Sequence, residues 1–259
     1  MLILSDSPVR LRDACTRNNA HWLRSFGCRI EERDGCQRVW NDLLDDYRAW
    51  IVPGLAAGLD RTRIDFVCAD AASASLTVYV DSPASRAWID SLSRHGFEPQ
   101  FRSVVRALPA IRRRRSPAGG LVLTEVSGDE FASWATLYGR VFSTDPAIEQ
   151  QRWARAARDA NLRHYTFHAG GESVGLCQLC LSDGIAGLYS MGLLPQAPRG
   201  TSIHLAARLV VAEAADRGFK VVYFERVRPA GAEAPSASAR IVRAFQAWVP
   251  RKQAPMDGH

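Results

Sequence analysis

The stretch of this chain with the most chemistry in it runs from Leu188 to Phe224. An extended run, Leu188-Tyr189-Ser190-Met191-Gly192-Leu193-Leu194, leads into Pro195-Gln196-Ala197-Pro198-Arg199-Gly200-Thr201-Ser202. Helical spacing starts at once, with Ile203, Ala206, Ala207, Val210, Val211 and Ala214 recurring up to Gly218. Lys220-Val221-Val222-Tyr223-Phe224 then reads as a strand parallel to the first. Strand, Arg-Gly loop, helix and parallel strand together make an anion site. The first backbone N–H groups of a helix have no partner inside it, that end carries partial positive charge, and small residues let a phosphate reach the backbone. The expected anion-binding set is the strand end, Leu193 and Leu194, followed by Arg199, Gly200, Thr201, Ser202, Ile203 and His204.

Other reactive residue types are present in weaker patterns. Cys177 and Cys180 have redox-pair spacing, but on a strand they point to opposite faces and no second pair exists, so they read as core thiols. His164 and His168 share a strand face without an evident third ligand, which argues against a metal. No Gly-x-Ser-x-Gly elbow, Walker loop or zinc motif occurs.

The elements that must position the anion site follow from periodicity and turn chemistry. Leu121–Val126 alternates as a strand. Ser127 or Asp129 caps a helix through Trp134 and Leu137 to Phe142, and Asp145-Pro146 starts another that runs to about Arg158. Three apolar runs follow, Arg163–Ala169, Ser173–Leu181 and Gly187–Leu194. Gly170-Gly171 and Asp183-Gly184 divide them and predict hairpins, hence an antiparallel meander.

This order of elements, from Leu121 to Pro250, resembles the GNAT superfamily of N-acyltransferases. In that family a strand ending in an apolar-Pro step precedes Arg/Gln-x-x-Gly-x-Gly/Ala, which grips the diphosphate of acyl-CoA. The matching stretch here is Arg199-Gly200-Thr201-Ser202-Ile203-His204. The later small positions have become Ser202 and His204, so a ring stands where the family keeps almost no side chain. The resemblance implies an α/β (α+β) fold with a mixed, mostly antiparallel sheet flanked by helices. It also implies acetyl-CoA or another acyl-CoA as donor and a small-molecule or amino-acid amine as acceptor. The family's Ala-x-x-x-Tyr-x-x-x-Gly-Phe helix, whose Tyr serves as general acid, aligns with Ala239–Pro250. That stretch has helical apolar spacing, but Phe245 falls near the Tyr slot and cannot donate a proton. The candidate acids are then Tyr189, Ser190 and Tyr223. Some members of the fold take an aminoacyl group from tRNA, and the eroded motif, the missing acid and a basic linker lean that way. A non-catalytic binding protein of this fold is a third reading.

The linker is the run Ala110 to Gly120, with four successive arginines, a proline and two glycines. It suggests lobes at 1–110 and 121–250, a linker at 111–120 and a tail at 251–259. In the first lobe, Asn19–Phe26 reads as a short helix, Asp34-Gly35 as the turn of a hairpin between Cys28–Arg33 and Cys36–Trp40, and Ser75–Val80 as a strand. Pro83 opens a helix to His95, and Gly96–Arg106 is a further strand. This ending resembles the last quarter of a GNAT domain without its phosphate loop, which implies a degenerate tandem lobe. An unrelated small α+β cap is the alternative.

Bulk properties exclude little. The chain has 259 residues, 47% of them hydrophobic, and 33 basic against 27 acidic residues give a net charge of +6. That balance suits a phosphorylated donor or tRNA, and equally an arginine-rich composition. No apolar run approaches the ~20 residues of a membrane span and the first residues are no signal peptide. The expectation is a cytoplasmic protein with free thiols, no membrane partner, no metal, and an oligomeric state left open.

Overall fold

The computed structural model divides the chain into two compact units, each with its own core. The structure describes residues 3, 6–33, 35–42, 48–53, 61–112, 120–229 and 240–251. Most of the arginine-glycine linker, the loop at 230–239 and the tail lie outside the described residues. The first unit comprises Met1–Gly27, Arg106–Glu225 and Ser238–Val242, and the second Cys28–Val105, Arg226–Ala237 and Arg243–His259.

The second unit begins with the hairpin β1 (Arg29–Arg33) and β2 (Cys36–Trp40). It continues through β3 (Ala49–Val52), α2 (Arg61–Ser73), β4 (Thr77–Asp81), α3 (Arg86–Arg94) and β5 (Phe97–Pro109), and receives β11 (Arg240–Pro250) from the chain's far end. Its strand order is β1-β2-β3-β4-β11-β5, mixed, with β3 parallel to β4 and β11 antiparallel to it. Val67, Cys68, Val78, Val80, Trp88, Leu92 and Trp248 form its core. The helical spacing of Ala239–Pro250 is overturned here. The segment is strand β11, with Trp248 opposite Val78 and Phe245 opposite Asp81. Aromatic and β-branched side chains fit a pleated surface, and pairing with β4 outweighs a weak helical period. Phe245 therefore stands in no helical acid slot.

The first unit carries the meander. It contains α1 (Pro8–Ser25), the end of β5, β6 (Leu121–Glu125), α4 (Phe131–Phe142), α5 (Pro146–Ala156), β7 (Leu162–Ala169), β8 (Glu172–Ser182), β9 (Ile185–Leu193), α6 (Ile203–Asp216) and β10 (Val221–Pro229). Strand order is β5-β10-β9-β8-β7-β6; β6 to β9 pair antiparallel in turn and β10 runs parallel to β9. Both hairpins are two-residue turns with left-handed central residues: φ is 61° and 87° at Gly170 and Gly171, and 54° and 73° at Asp183 and Gly184. That backbone twist matches the strands it joins. Ser127 and Glu130 form a capping box ahead of α4, and the Asp145 carboxylate accepts the Ala147 N–H at 2.8 Å to start α5.

One face of this sheet packs on α6, where Ala206, Val210 and Ala214 meet Tyr165, Phe167, Leu179, Leu188 and Val222. The other face is aromatic and lies under α1, α4 and α5. Helix α1 is longer than the sequence suggested. Ser7 accepts the Arg10 N–H and Pro8 occupies the first turn, so the helix begins there rather than at Asn19. Leu11, Ala14, Cys15, Asn18 and Trp22 form its buried stripe.

Candidate functional site

The site builds outward from strand β9, and all of it lies in the first unit. Parallel register pairs join β9 to β10 from Ala186↔Val222 to Leu188↔Phe224. Among the described residues, β9 has no β10 partner past Leu188, so its backbone there is open to a ligand on that edge. On its other edge β9 pairs with β8, and the register slips. Gln178 faces Tyr189 whereas Leu176 faces Gly192, so β9 spends three steps against two on β8. The extra residue is a bulge, and Ser190 within it has a left-handed φ of 46°. A bulge breaks the in–out alternation. Tyr189 and Ser190 are neighbours in sequence, yet both reach toward the aromatic face, Tyr189 to α1 and Ser190 to α4.

The structure separates the three candidate acids. Tyr189 and Tyr223 meet hydroxyl to hydroxyl and share one acceptor, Asn18 Oδ1, at 3.1 and 2.9 Å. Tyr223 also reaches the Cys15 carbonyl at 3.3 Å, and the Tyr189 ring stacks on Trp22 at 4.3 Å. Asn18 is held in turn, its Nδ2 donating to the Cys180 carbonyl at 2.9 Å and Ser182 Oγ at 3.0 Å. Burial is the largest cause that pushes both phenols well above their ordinary range; for Tyr189 the Tyr223 phenol adds to it, whereas for Tyr223 the hydrogen bond with Tyr189 opposes it. Their protons are directed into α1. Ser190 is half-buried, and its Oγ lies 3.4 Å from the Tyr138 hydroxyl on α4.

The loop after β9 turns as an anion cradle requires. Leu194 is buried and its N–H bonds to the Val174 carbonyl at 2.8 Å. Gly200 has φ of 94°, and an added Cβ there would meet nothing, so conformation rather than space selects glycine. Ser202 caps α6, accepting the Leu205 N–H at 3.2 Å. The Thr201 N–H closes a turn onto the Pro198 carbonyl at 3.0 Å, so this expected donor is already engaged. Among the described residues, no hydrogen bond occupies the N–H groups of Gly200, Ser202, Ile203 or His204, and Arg199 makes no ion pair. Arg199, Gly200, Ser202, Ile203 and His204 are exposed. Free amides, a helix N-terminus and a cation fit a diphosphate.

Sequence reasoning missed the groups behind Ser190. Tyr138 is buried, and on α5 the Glu149 carboxylate accepts from Trp153 Nε1 at 2.8 Å and forms an ion pair with Arg152 Nη1 at 3.3 Å. Tyr138 was legible as part of an amphipathic helix, but nothing in the sequence links it to Ser190, 52 positions away. A separate cavity of about 450 Å³ lies between α4 and strands β6 to β8, lined by Thr124, Glu130, Trp134, Arg140, Thr166 and His168 among others. It includes none of the donor-loop residues. His164 is buried beside Phe131 and Trp134, both cysteines of the 177/180 pair are buried free thiols, and no metal-binding group of three or more ligands occurs among the described residues.

No protein-family model matches the sequence and no curated protein matches it. Solved structures do. The chain is similar to a GCN5-related N-acetyltransferase from Kribbella flavida, with TM-score 0.64 and 14% identity over 96% of this chain and 97% of that one. It is similar to a GCN5-related N-acetyltransferase from Sphaerobacter thermophilus at TM-score 0.58 and 14% identity, covering 94% and 93%. A conserved protein of unknown function from Staphylococcus epidermidis gives TM-score 0.59 and 12% identity, covering 86% and 94%. The chain has the GNAT fold.

Proposed function

We propose that this protein is an N-acyltransferase that takes an acyl group from acyl-CoA and passes it to the amine of a small-molecule acceptor. The observation that supports this most is the loop from Arg199 to His204, where a positive-φ glycine and a capped helix leave four backbone N–H groups open beside an arginine. Bound there, acyl-CoA supplies an activated thioester carbonyl. Arg199 and the open amides hold its phosphates by charge and by hydrogen bonds. The unpaired edge of β9 beyond Leu188 offers backbone groups to orient the carbonyl against an unprotonated amine, and proximity then carries much of the rate. Ser190 is the candidate acid whose proton is not directed into α1.

The test is calorimetric titration of the full chain with CoA, followed by amide formation from acetyl-CoA with a panel of primary amines. Gly200→Pro forces φ to about −65° where 94° is needed. It should weaken CoA binding at least about tenfold, a change of about 1.4 kcal/mol, with the circular dichroism spectrum retained. Wild-type protein that ignores CoA but is thermally stabilised by charged tRNA would replace this reading with an aminoacyl-tRNA-dependent amide-forming transferase. His204, exposed in the first turn of α6, is the feature that favours that second reading.

A further inference from the structure

We propose that the cavity between α4 and strands β6 to β8 is a second ligand site, built for a small anion that carries several hydroxyl groups, such as a sugar phosphate or a sugar acid. This site lies beyond the acyltransferase reading and does not depend on it, since no residue of the donor loop lines it.

The floor of the cavity is polar, whereas a sheet face under a helix is ordinarily apolar. Thr124 faces Thr166 across β6 and β7, and Ser173 faces His168 across β7 and β8. Directly opposed residues project to the same side, and Thr166 and His168 are two apart on β7. All four side chains therefore line the cavity under α4. Ser173 arrives there by a bulge. Phe167 pairs with Gly175, and the next residue, His168, pairs with Ser173, so β8 holds Val174 as an extra residue. An unbroken ladder would set Val174 opposite His168. The bulge instead buries Val174 in the α6-side core and gives its place to a serine. Thr166 is only 8% exposed, yet its hydroxyl bonds to no protein group among the described residues. A buried hydroxyl left this way costs free energy unless something in the cavity bonds to it.

Ser133, Leu137 and Arg140 recur at i, i+4 and i+7 on α4, so one stripe of the helix closes the cavity from above. The Arg140 guanidinium makes no ion pair or hydrogen bond among the described residues. The two carboxylates of the lining are already engaged. Glu125 pairs with Arg163 at 3.4 Å and with Arg217, and Glu130 accepts from the Ser127 N–H at 3.0 Å and from its Oγ at 2.9 Å. Glu130 and Arg140 stand at opposite ends of α4, about 15 Å apart along its axis. The cavity thus has a cationic end and a hydrogen-bond-accepting end. The anion belongs beside Arg140 and His168, and its hydroxyl groups lie over the threonine pair and toward Glu130. The volume of about 450 Å³ falls within the usual range of small-molecule sites, about 300–1,000 Å³.

The experiment is calorimetric titration of the full chain with glucose 6-phosphate, with gluconate and, as the neutral control, with glucose. It compares wild type with Arg140→Gln, Thr166→Val and the donor-loop variant Arg199→Gln, each checked for a wild-type circular dichroism spectrum. At least one of the two anions should bind with Kd below about 1 mM, and glucose at least about tenfold more weakly. Binding of glucose 6-phosphate alone identifies a phosphate-ester site, and of gluconate alone a carboxylate site. Arg140→Gln should weaken the bound anion at least about tenfold and Thr166→Val about fivefold, the scale of a charge-assisted and a neutral hydrogen bond. Arg199→Gln should leave the affinity within about twofold of wild type. The proposal is overturned if neither anion binds, if glucose binds as tightly as the anions, or if Arg140→Gln leaves the affinity unmoved. Loss in Arg199→Gln with retention in Arg140→Gln would overturn it as well, placing the anion at the start of α6.

Discussion

His164 is a residue whose sequence position was legible and whose energetics were not. Its spacing from His168 placed both on one strand face, and the absence of a third ligand argued for a non-metal role. Which rings would cover it depended on α4, and no local pattern records that packing. Trp134 stands 4.6 Å and Phe131 5.1 Å from its ring, and only 6% of the residue is exposed. Burial is the larger cause that lowers its pKa to about 3, and the charge of Arg163 adds to it. The folded protein therefore keeps His164 neutral down to about pH 3, whereas the unfolded chain binds a proton below the usual histidine value. The stabilisation is fully present above pH 6.5 and is lost as pH falls from 6.5 toward 3. Within that window a single such group gives a slope of about 1.4 kcal/mol per pH unit. Urea unfolding of wild type and His164→Phe at pH 7 and pH 5 should therefore differ in slope by about 2 kcal/mol over the interval. Parallel slopes would show that the ring is hydrated or paired in the folded state.

At the scale of elements, the sequence was most informative where a turn or cap is chemically specific. Gly170-Gly171 and Asp183-Gly184 marked both hairpins because few residues tolerate two left-handed positions in a row. Asp145-Pro146 marked the start of α5 for the same kind of local reason. The segment 240–250 went the other way: its partner β4 lies far off in sequence, and long-range pairing overrode local period. The strand β3 and helix α2 were not anticipated either, since α2 has only a weak apolar stripe of Ile64, Val67, Cys68 and Ala71. Helix α6 combines both cases. Its start was legible from Ser202, but the consequence of His204 needed the backbone. His204 is the second residue of the helix and exposed. Side chains on a helix lean toward its N-terminus, and from position 204 that direction leads toward the open amides. A neutral ring there acts by bulk, and a protonated one meets the positive end of the helix. His204→Gly should therefore tighten CoA binding about fivefold, close to 1 kcal/mol, as measured by calorimetry. Weaker binding in the variant would make the imidazole a phosphate ligand.

At the scale of the whole molecule, the reading of two sequential lobes meets units that are discontinuous in sequence. Residues 1–27 group with 106–225, and most of β11 groups with the chain's first half. Domain reading from composition sees linkers but not strands or helices that leave one half to complete the other. In the first unit the completing piece is α1, and Asn18 is its latch. The residue is fully buried, donates to the Cys180 carbonyl and Ser182 Oγ, and accepts from Tyr189 and Tyr223. Truncating it removes the acceptor that both phenols share and the donor to the Cys180 carbonyl in a dry interior, and each buried group left short of a partner costs about 1–3 kcal/mol. Relaxation and entering water recover part of that sum, so Asn18→Ala should lower stability by about 2–4 kcal/mol in urea unfolding. The location of the loss is as informative as its size. Tryptophan fluorescence should follow the same transition, because Trp22 on α1 stacks on Tyr189 and donates to Gln178 at 3.2 Å. A chain lacking residues 1–27 should lose the cooperative transition of the first unit altogether, since the aromatic face that α1 covers would be open to water. If Asn18→Ala unfolds within about 0.5 kcal/mol of wild type, as a surface change would, α1 is held by its apolar stripe alone and the Tyr189–Tyr223 pair is released for another role.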